Sequence, residues 1–222
     1  MNRVLENRIV VVTGANGALG RVVRRRVEEA GATPVGIDLK ADAGGEVVGA
    51  DLADAGAAAK AFAGILSRWD RVDALLNVAG GFRMAPAVEL EPWETLWRMN
   101  VATALHSIRA VLPVMVARGE GAIVSIAARV EPAGAQMAAY AASKSAVIRL
   151  TQALAEEVKD HGVRVNCVMP SILDTEANRR AMPDADFGRW VTLEALADVL
   201  VFLCSDQARA ITGAAIPVSG RI

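Results

Sequence analysis

Short uncharged runs rich in Val and Ile recur along this chain, separated by longer amphipathic stretches, and this rhythm constrains the fold more than any other feature. The first run spans Arg8 to Thr13; a helical pattern from Ala18 to Ala30 and a second run from Thr33 to Ile37 follow. Glu46 to Ala50, a helix from Ala57 to Trp69, and Ala74 to Val78 continue the alternation. A long helix is expected from Pro92 to Arg118, then a strand from Gly121 to Ile126 and a helix from Ala138 to His161. Val163 to Met169 reads as a strand that Pro170 stops, and a helix from Leu193 to Cys204 precedes a short strand from Ala215 to Val218. Parallel neighbours need crossover connections, and those connections lay helices over both faces of the sheet. The expected fold is α/β, a doubly wound parallel sheet of seven strands with helices on both faces.

Composition closes off several functions. At 222 residues and 53% hydrophobic content, residues 1–222 are expected to form one domain around one large core. The formal net charge is −1 with charges spread along the chain, so no basic stripe is present and no nucleic-acid partner is expected. The N-terminal stretch from Met1 to Arg8 has no apolar segment before a cleavage site, and no run reaches about twenty uncharged apolar residues. No membrane partner and a cytoplasmic location are expected. Cys167 and Cys204 lie in apolar segments and read as small buried hydrophobes, while His106 and His161 are too few and too far apart for a metal centre. His106 reads as a helix-face residue and His161 as a helix-end one.

Directly after the first strand comes Thr13-Gly14-Ala15-Asn16-Gly17-Ala18-Leu19-Gly20, which opens into a helix. Glycines there let the backbone turn tightly and approach a pyrophosphate, and the helix N-terminus offers free N–H groups, as in a Rossmann dinucleotide-binding unit. Asp38 ends the second strand, where a carboxylate can accept both ribose hydroxyls of an adenosine and repel a 2′-phosphate. NAD(H) is favoured on that argument; NADP(H) stays open because Lys40 and Arg21 are near enough to meet a phosphate. Asp51 follows the third strand, placed either to bond the adenine amino group or to cap the next helix.

Tyr140 is the only tyrosine, and Lys144 follows it by four residues on an expected helix, so both side chains share one face. An ammonium there can draw the phenol toward phenolate, and a phenol beside a hydride carrier is a general acid/base.

These residues together resemble the short-chain dehydrogenase/reductase family over nearly the whole chain. Gly14 to Gly20 is similar to the family's Gly-rich turn, Asp51 and Leu52 to its adenine contact, and Asn77-Val78-Ala79-Gly80 to its Asn-Asn-Ala-Gly segment. Asn100 resembles the asparagine that fixes a helix bend and a relay water, and Tyr140 to Lys144 the Tyr-x-x-x-Lys pair. Pro170 to Thr175 resembles the segment holding the nicotinamide carboxamide, which implies roles for Pro170, Ile172 and Thr175; Ile211 to Gly220 resembles the closing strand. By this resemblance the cofactor contacts are Gly14, Asn16, Gly17, Ala18, Leu19, Gly20, Asp38, Asp51, Leu52, Asn77, Ala79, Gly80, Tyr140, Lys144, Pro170, Ile172 and Thr175.

Two departures stand out. The glycines fall at 14, 17 and 20, where the family pattern has one at 18 in place of 17. The family's catalytic serine falls at Ala127 or Ala128, with Ser125 two or three residues early as a candidate substitute. Quinonoid dihydropteridine reductases also lack that serine, and the stretch from Leu173 to Phe187 with Trp190, and Gly17 to Gly20, is locally similar to theirs. Phe82, Met84, Trp97 and Trp190 are candidates for an apolar wall against a flat ring. Three readings follow: an NAD(H)-dependent reductase of a small carbonyl or conjugated ring such as a quinonoid dihydropterin, a 3-oxoacyl or alcohol dehydrogenase using Ser125 or a water, or an idle NAD(H)-binding sensor. A homo-oligomer, dimer or tetramer, is expected through the helices at 92–118 and 138–160, where Ala138, Ala139, Ala142, Ala146 and Val147 recur. Those small residues equally suit packing on the sheet.

Overall fold

All seven expected strands pair in one parallel sheet. A computed structural model describes residues 3–42, 44–131 and 133–222, so Met1 and Asn2 of the N-terminal stretch lie outside it. The strands are β1 Ile9–Thr13, β2 Thr33–Asp38, β3 Val47–Gly49, β4 Ala74–Asn77, β5 Gly121–Ile126, β6 Val163–Pro170 and β7 Ala215–Val218. They pair in the order β3-β2-β1-β4-β5-β6-β7, every neighbour parallel. β1 and β4 are buried throughout, which is why their sequences are continuously apolar rather than alternating. The chain runs outward from β1 in one direction and from β4 in the other, so the strand order reverses between them. A crevice opens beyond the carboxyl ends of such a pair.

The helices are α1 Ala18–Glu29, α2 Ala55–Trp69, α3 Leu90–Trp97, α4 Thr103–Arg118, α5 Ala138–Val158, α6 Glu176–Ala181 and α7 Leu193–Cys204. One core lies under α1 and α7, joining Val23 and Val27 to Val10, Val12, Leu196, Leu200 and Leu203. The other lies under α2, α4 and α5, where Phe62, Ile65, Ile108, Val111 and Met115 meet Val11, Leu75 and Ile123. Both thiols are buried and free. His106 sits half-buried on α4 with Nδ1 at 2.9 Å from the Leu52 carbonyl.

Three features qualify this outline. The helix expected from Pro92 to Arg118 is interrupted by a π-helical turn, Arg98–Ala102. The whole of Leu90–Arg118, 29 residues, is long and apolar enough by length and composition to cross a membrane, although Arg98 and Arg109 keep it short of about twenty consecutive uncharged apolar residues. Its inner side, including Ala104, Ser107, Ile108, Val111 and Met115, is buried in this fold, as a core helix requires. Finally, β2 and β3 are joined with no helix among the described residues between them. That leaves a bay of about 950 Å³ at the sheet's outer edge, lined by Arg21, Arg24, Lys60 and Arg68 among others, away from Tyr140 and Lys144. Gly36 N–H points outward to Glu46 O, so alternation turns Pro34 to the same open edge, where a residue without an N–H leaves no donor exposed.

Phe62 is fully buried and Leu39 is 72% exposed. Phe62→Ala is expected to cost about 3–5 kcal/mol of unfolding free energy by the cavity it opens, and Leu39→Ala under about 0.5 kcal/mol. Urea unfolding curves of the two variants measure both.

Candidate active site

The crevice between β1 and β4 is held shut at its floor by Thr13, whose Oγ1 accepts the amides of Val78 and Ala79, each at 3.1 Å. The glycine turn starts there. Gly14 has φ 66° and lies so close to β4's exit that a Cβ would stand 2.9 Å from Ala79 backbone atoms. A Cβ on Gly20 would sit 2.0 Å from the Gly14 carbonyl oxygen. Gly17 is the N-cap of α1; it offers no side-chain cap, and the first turn holds no acid. The leading N–H groups, those of Ala18, Leu19 and Gly20, are therefore available to an anion, and Ala18 in place of a family glycine does not obstruct them.

Asp38 stands beside this turn. Its Oδ2 accepts the Asn16 amide at 2.9 Å and its Oδ1 the Leu39 amide at 2.8 Å, which fixes the carboxylate at the end of β2. Asn16 Nδ2 donates to Lys40 O at 2.9 Å, and Arg21 donates to Asn16 O. Asp51 is not a helix cap: α2 is capped by Asp54, whose Oδ1 accepts Ala57 N–H at 2.7 Å. Asp51 stays exposed, with Arg98 at 4.0 Å, beside buried Leu52.

Tyr140 and Lys144 lie one turn apart on α5. The Lys144 ammonium is buried and donates to the Ile126 carbonyl at 2.8 Å. Gly80 packs against it, since a Cβ there would stand 3.3 Å from Lys144 Nζ and 2.7 Å from Asn100 Oδ1. The π-helical turn points Asn100 inward, where Nδ2 donates to Gly81 O at 3.1 Å and to Ser143 Oγ at 3.0 Å, and Oδ1 accepts Gly81 N–H at 2.9 Å. Phe82 meets the Tyr140 ring edge-on, centroids 4.8 Å apart and planes at 85°. Burial pushes the Tyr140 phenol up to about 12 and the Lys144 ammonium down to about 8. The expected lowering of the phenol by its lysine is thus not expressed in the free chain, where desolvation dominates both groups.

Ser125 is buried at 2% exposure, and its Oγ accepts Asn77 Nδ2 across the β4–β5 pair at 3.2 Å. Ala127 packs with Val101, Val147 and Cys167, and Ala128 is buried beside it. On the far rim, Pro170 O accepts Arg129 N–H, Ile172 O accepts Val191 N–H, and the Thr175 hydroxyl caps α6 through Asn178 N–H. Of the expected apolar wall, Phe82, Met84 and Trp97 are exposed, but Trp190 is 6% exposed and packs on Phe187, so it belongs to the core. Two residues escaped notice in the sequence. Thr13 was visible only as part of the turn, and Ser143 only as the residue before Lys144, three after Tyr140.

A family model described as enoyl-(acyl carrier protein) reductase matches residues 14–220. The chain belongs to the short-chain dehydrogenase/reductase family. It is an oxidoreductase. D-threitol dehydrogenase of Mycolicibacterium smegmatis is 31% identical over 242 residues, covering 97% of this chain and 93% of the relative. The inactive 2-(S)-hydroxypropyl-CoM dehydrogenase 2 of Xanthobacter autotrophicus is 35% identical over 190 residues, covering 78% of this chain and 83% of its own. A solved structure of a putative NAD(P)-dependent gluconate 5-dehydrogenase from Beutenbergia cavernae, with NADP bound at low occupancy, superposes with a TM-score of 0.88. It is 35% identical, covering 99% of this chain and 98% of that one.

Lys144 gives the free protein a pH signature. Its charged form is disfavoured by folding at all pH below about 8, and that cost is relieved between about 8 and the ordinary 10.5, where the unfolded chain binds more protons. Stability from this group therefore rises with pH in that window, by at most about 1.4 kcal/mol per unit. Tyr140 and the thiols act oppositely above their ordinary values, since folding raises theirs. Subtracting the unfolding free energies of Lys144→Met from those of wild type cancels these groups, and the difference should climb from pH 8 to 10.

Proposed function

We propose that this chain is one dinucleotide-binding domain that uses NAD(H) to reduce a small carbonyl or a flat conjugated ring, with a quinonoid dihydropterin as the leading substrate. The observation that carries the reading is the Tyr140 phenol, edge-on to exposed Phe82, with alanines where the family has its serine. A ketone oxygen there would have the phenol and no partnering hydroxyl, whereas a ring already polarised needs only a proton delivered. The local likeness of Leu173 to Phe187 to quinonoid dihydropteridine reductases points the same way.

The residues present suit a nicotinamide dinucleotide, because the glycine cradle has no room for a Cβ at Gly20 and α1 begins without a cap of its own. The N–H groups of Ala18, Leu19 and Gly20 would hold the pyrophosphate, Asp38 the adenosine ribose, and Asp51 with Leu52 the adenine. Asn77, Ala79, Gly80 and Lys144 would flank the nicotinamide ribose, with Pro170, Ile172 and Thr175 at the carboxamide. Bound there, the cofactor supplies the hydride. Tyr140 delivers the proton from its phenol oxygen, and the Lys144 charge favours the phenolate left behind. Phe82 holds the Tyr140 ring edge-on from one side. Asp38 favours NAD(H), since its carboxylate faces where a 2′-phosphate would lie and Arg21 is engaged on Asn16 O.

A second reading, an idle NAD(H)-binding protein, is favoured by the missing serine and by the relative named as inactive. An alcohol dehydrogenase relying on Ser125 is disfavoured because that hydroxyl is engaged by Asn77 inside the sheet. We also place the enzyme in the cytoplasm, with its cysteines reduced.

NADH oxidation with a quinonoid dihydropterin acceptor should be rapid, at least tenfold slower with NADPH, and reduced on the order of 100-fold or more in Tyr140→Phe. Binding of NADH without turnover of this acceptor or of simple ketones would favour the idle reading.

We further propose a homo-oligomer across α3, α4 and α5, where Leu90 and Trp97 are 69% and 52% exposed and Ala142 is exposed. Ala139 and Val147 do not contribute, because they are buried beneath α5. Light scattering should return a dimer or tetramer mass; a monomer mass overturns it.

A further inference from the structure

We infer that Ser143 is a positioning residue that sets the wall opposite Tyr140 by fixing the orientation of the Asn100 amide. The inference rests on the reductase reading above, because it assigns that wall to the acceptor. Ser143 is 1% exposed, and its hydroxyl proton is committed to the Tyr140 carbonyl at 2.8 Å. Toward Asn100 the oxygen can then only accept, so it selects the Nδ2 end of the amide, at 3.0 Å. That choice decides the other contacts. With Nδ2 facing α5, its second hydrogen reaches Gly81 O at 3.1 Å and Oδ1 receives Gly81 N–H at 2.9 Å. The amide thus grips both polar groups of Gly81 as a neighbouring strand would, although Gly81 lies in no strand.

Gly81 is the residue before Phe82, whose ring stands against the phenol. Met99 fills the space a Gly81 side chain would need, its Cε 2.2 Å from where a Cβ would be, so the segment is pressed from one side and held by Asn100. Without the Ser143 oxygen, a buried N–H of Asn100 loses its partner, and rotation of the amide away from Gly81 toward another acceptor or water becomes less costly. The grip on Gly81 loosens and Phe82 with it. The Asp38 and Gly14–Gly20 contacts, on the other side of the crevice, are untouched.

The test compares Ser143→Ala, Asn100→Ala, the double variant and Ser145→Ala, an exposed serine on the same helix, as control. In Ser143→Ala, kcat with the quinonoid dihydropterin should fall about tenfold while the NADH dissociation constant changes less than twofold. The double variant should be no slower than Asn100→Ala alone, because both act through one amide. Hydrogen exchange over the peptide containing Gly81 should quicken in Ser143→Ala and not in Ser145→Ala. Wild-type kcat in Ser143→Ala, or losses that multiply in the double variant, overturns the inference. If the wild-type protein turns over no acceptor, the reductase reading fails and exchange alone decides: faster exchange at Gly81 supports the positioning role, and unchanged exchange overturns it.

Discussion

Two amides converge on one hydroxyl at the place where the strand order reverses. Thr13 ends β1, Val78 and Ala79 leave β4, and the bonds between them fix how far apart the two chain exits stand. Everything at the site is measured from that spacing. Gly14 can pass because it carries no Cβ against Ala79, and Gly20 closes α1 onto the same turn. Gly80 and Gly81 then run beneath Lys144 and Asn100, as close as backbone permits. A looser junction would separate the dinucleotide cradle from the Tyr–Lys pair, which lie on different elements and share no direct contact that could re-establish their distance. The glycines in this region are consequences of that closeness more than of any turn type, since only Gly14 among 14, 17, 20, 80 and 81 has a positive φ.

What could be read from the residues alone divides along a physical line. Strands buried on both faces announce themselves as apolar runs, as β1, β4 and β5 do, while the edge strands β3 and β7, only partly buried, were legible from short apolar segments between turn residues. The glycine turn, Asp38 and the Tyr140–Lys144 spacing were legible because each depends on local geometry. The π-helical turn at Arg98–Ala102 was not legible in the periodicity, because inserting one residue into a helix changes its phase without changing its composition; only the resemblance at Asn100 pointed to a bend there. Helix α6 has six residues, too few to show a period. Trp190 was misread because an aromatic residue in a loop looks the same whether it faces solvent or Phe187. That Asp51 does not cap α2 could not be read from the sequence, because Asp51 and Asp54 are both capping residues within one turn and only the helix start at Ala55 makes Asp54 the cap.

The alanines at 127 and 128 alter the balance of the site in a way that composition around them has absorbed. Ala127 packs with Val101, Val147 and Cys167, Ala128 is buried after it, and Ser125 is bonded inside the sheet. A chain that had merely lost one catalytic group would keep polar surroundings for it. Around Ala127 the surroundings are apolar too, while Asn100, Ser143, Tyr140 and Lys144 stay connected by hydrogen bonds or helix register. Retaining the proton-handling half and discarding the oxygen-holding half fits a substrate that needs the first and not the second.

Lys144 shows why such an arrangement persists. A buried ammonium with a single carbonyl partner costs stability, as its lowered pKa records, and a methionine of similar length would pack there without that cost. The buried Asn77 Oδ1, which has no hydrogen-bond partner, is a second such cost at the same end of the sheet. Both lie beside the crevice, at the carboxyl ends of β4 and β5. Lys144 is fixed by the Ile126 carbonyl with Gly80 packed against its ammonium, and Asn77 by its bond to Ser125, so the fold bears a cost in stability for fixed polar geometry beside the crevice.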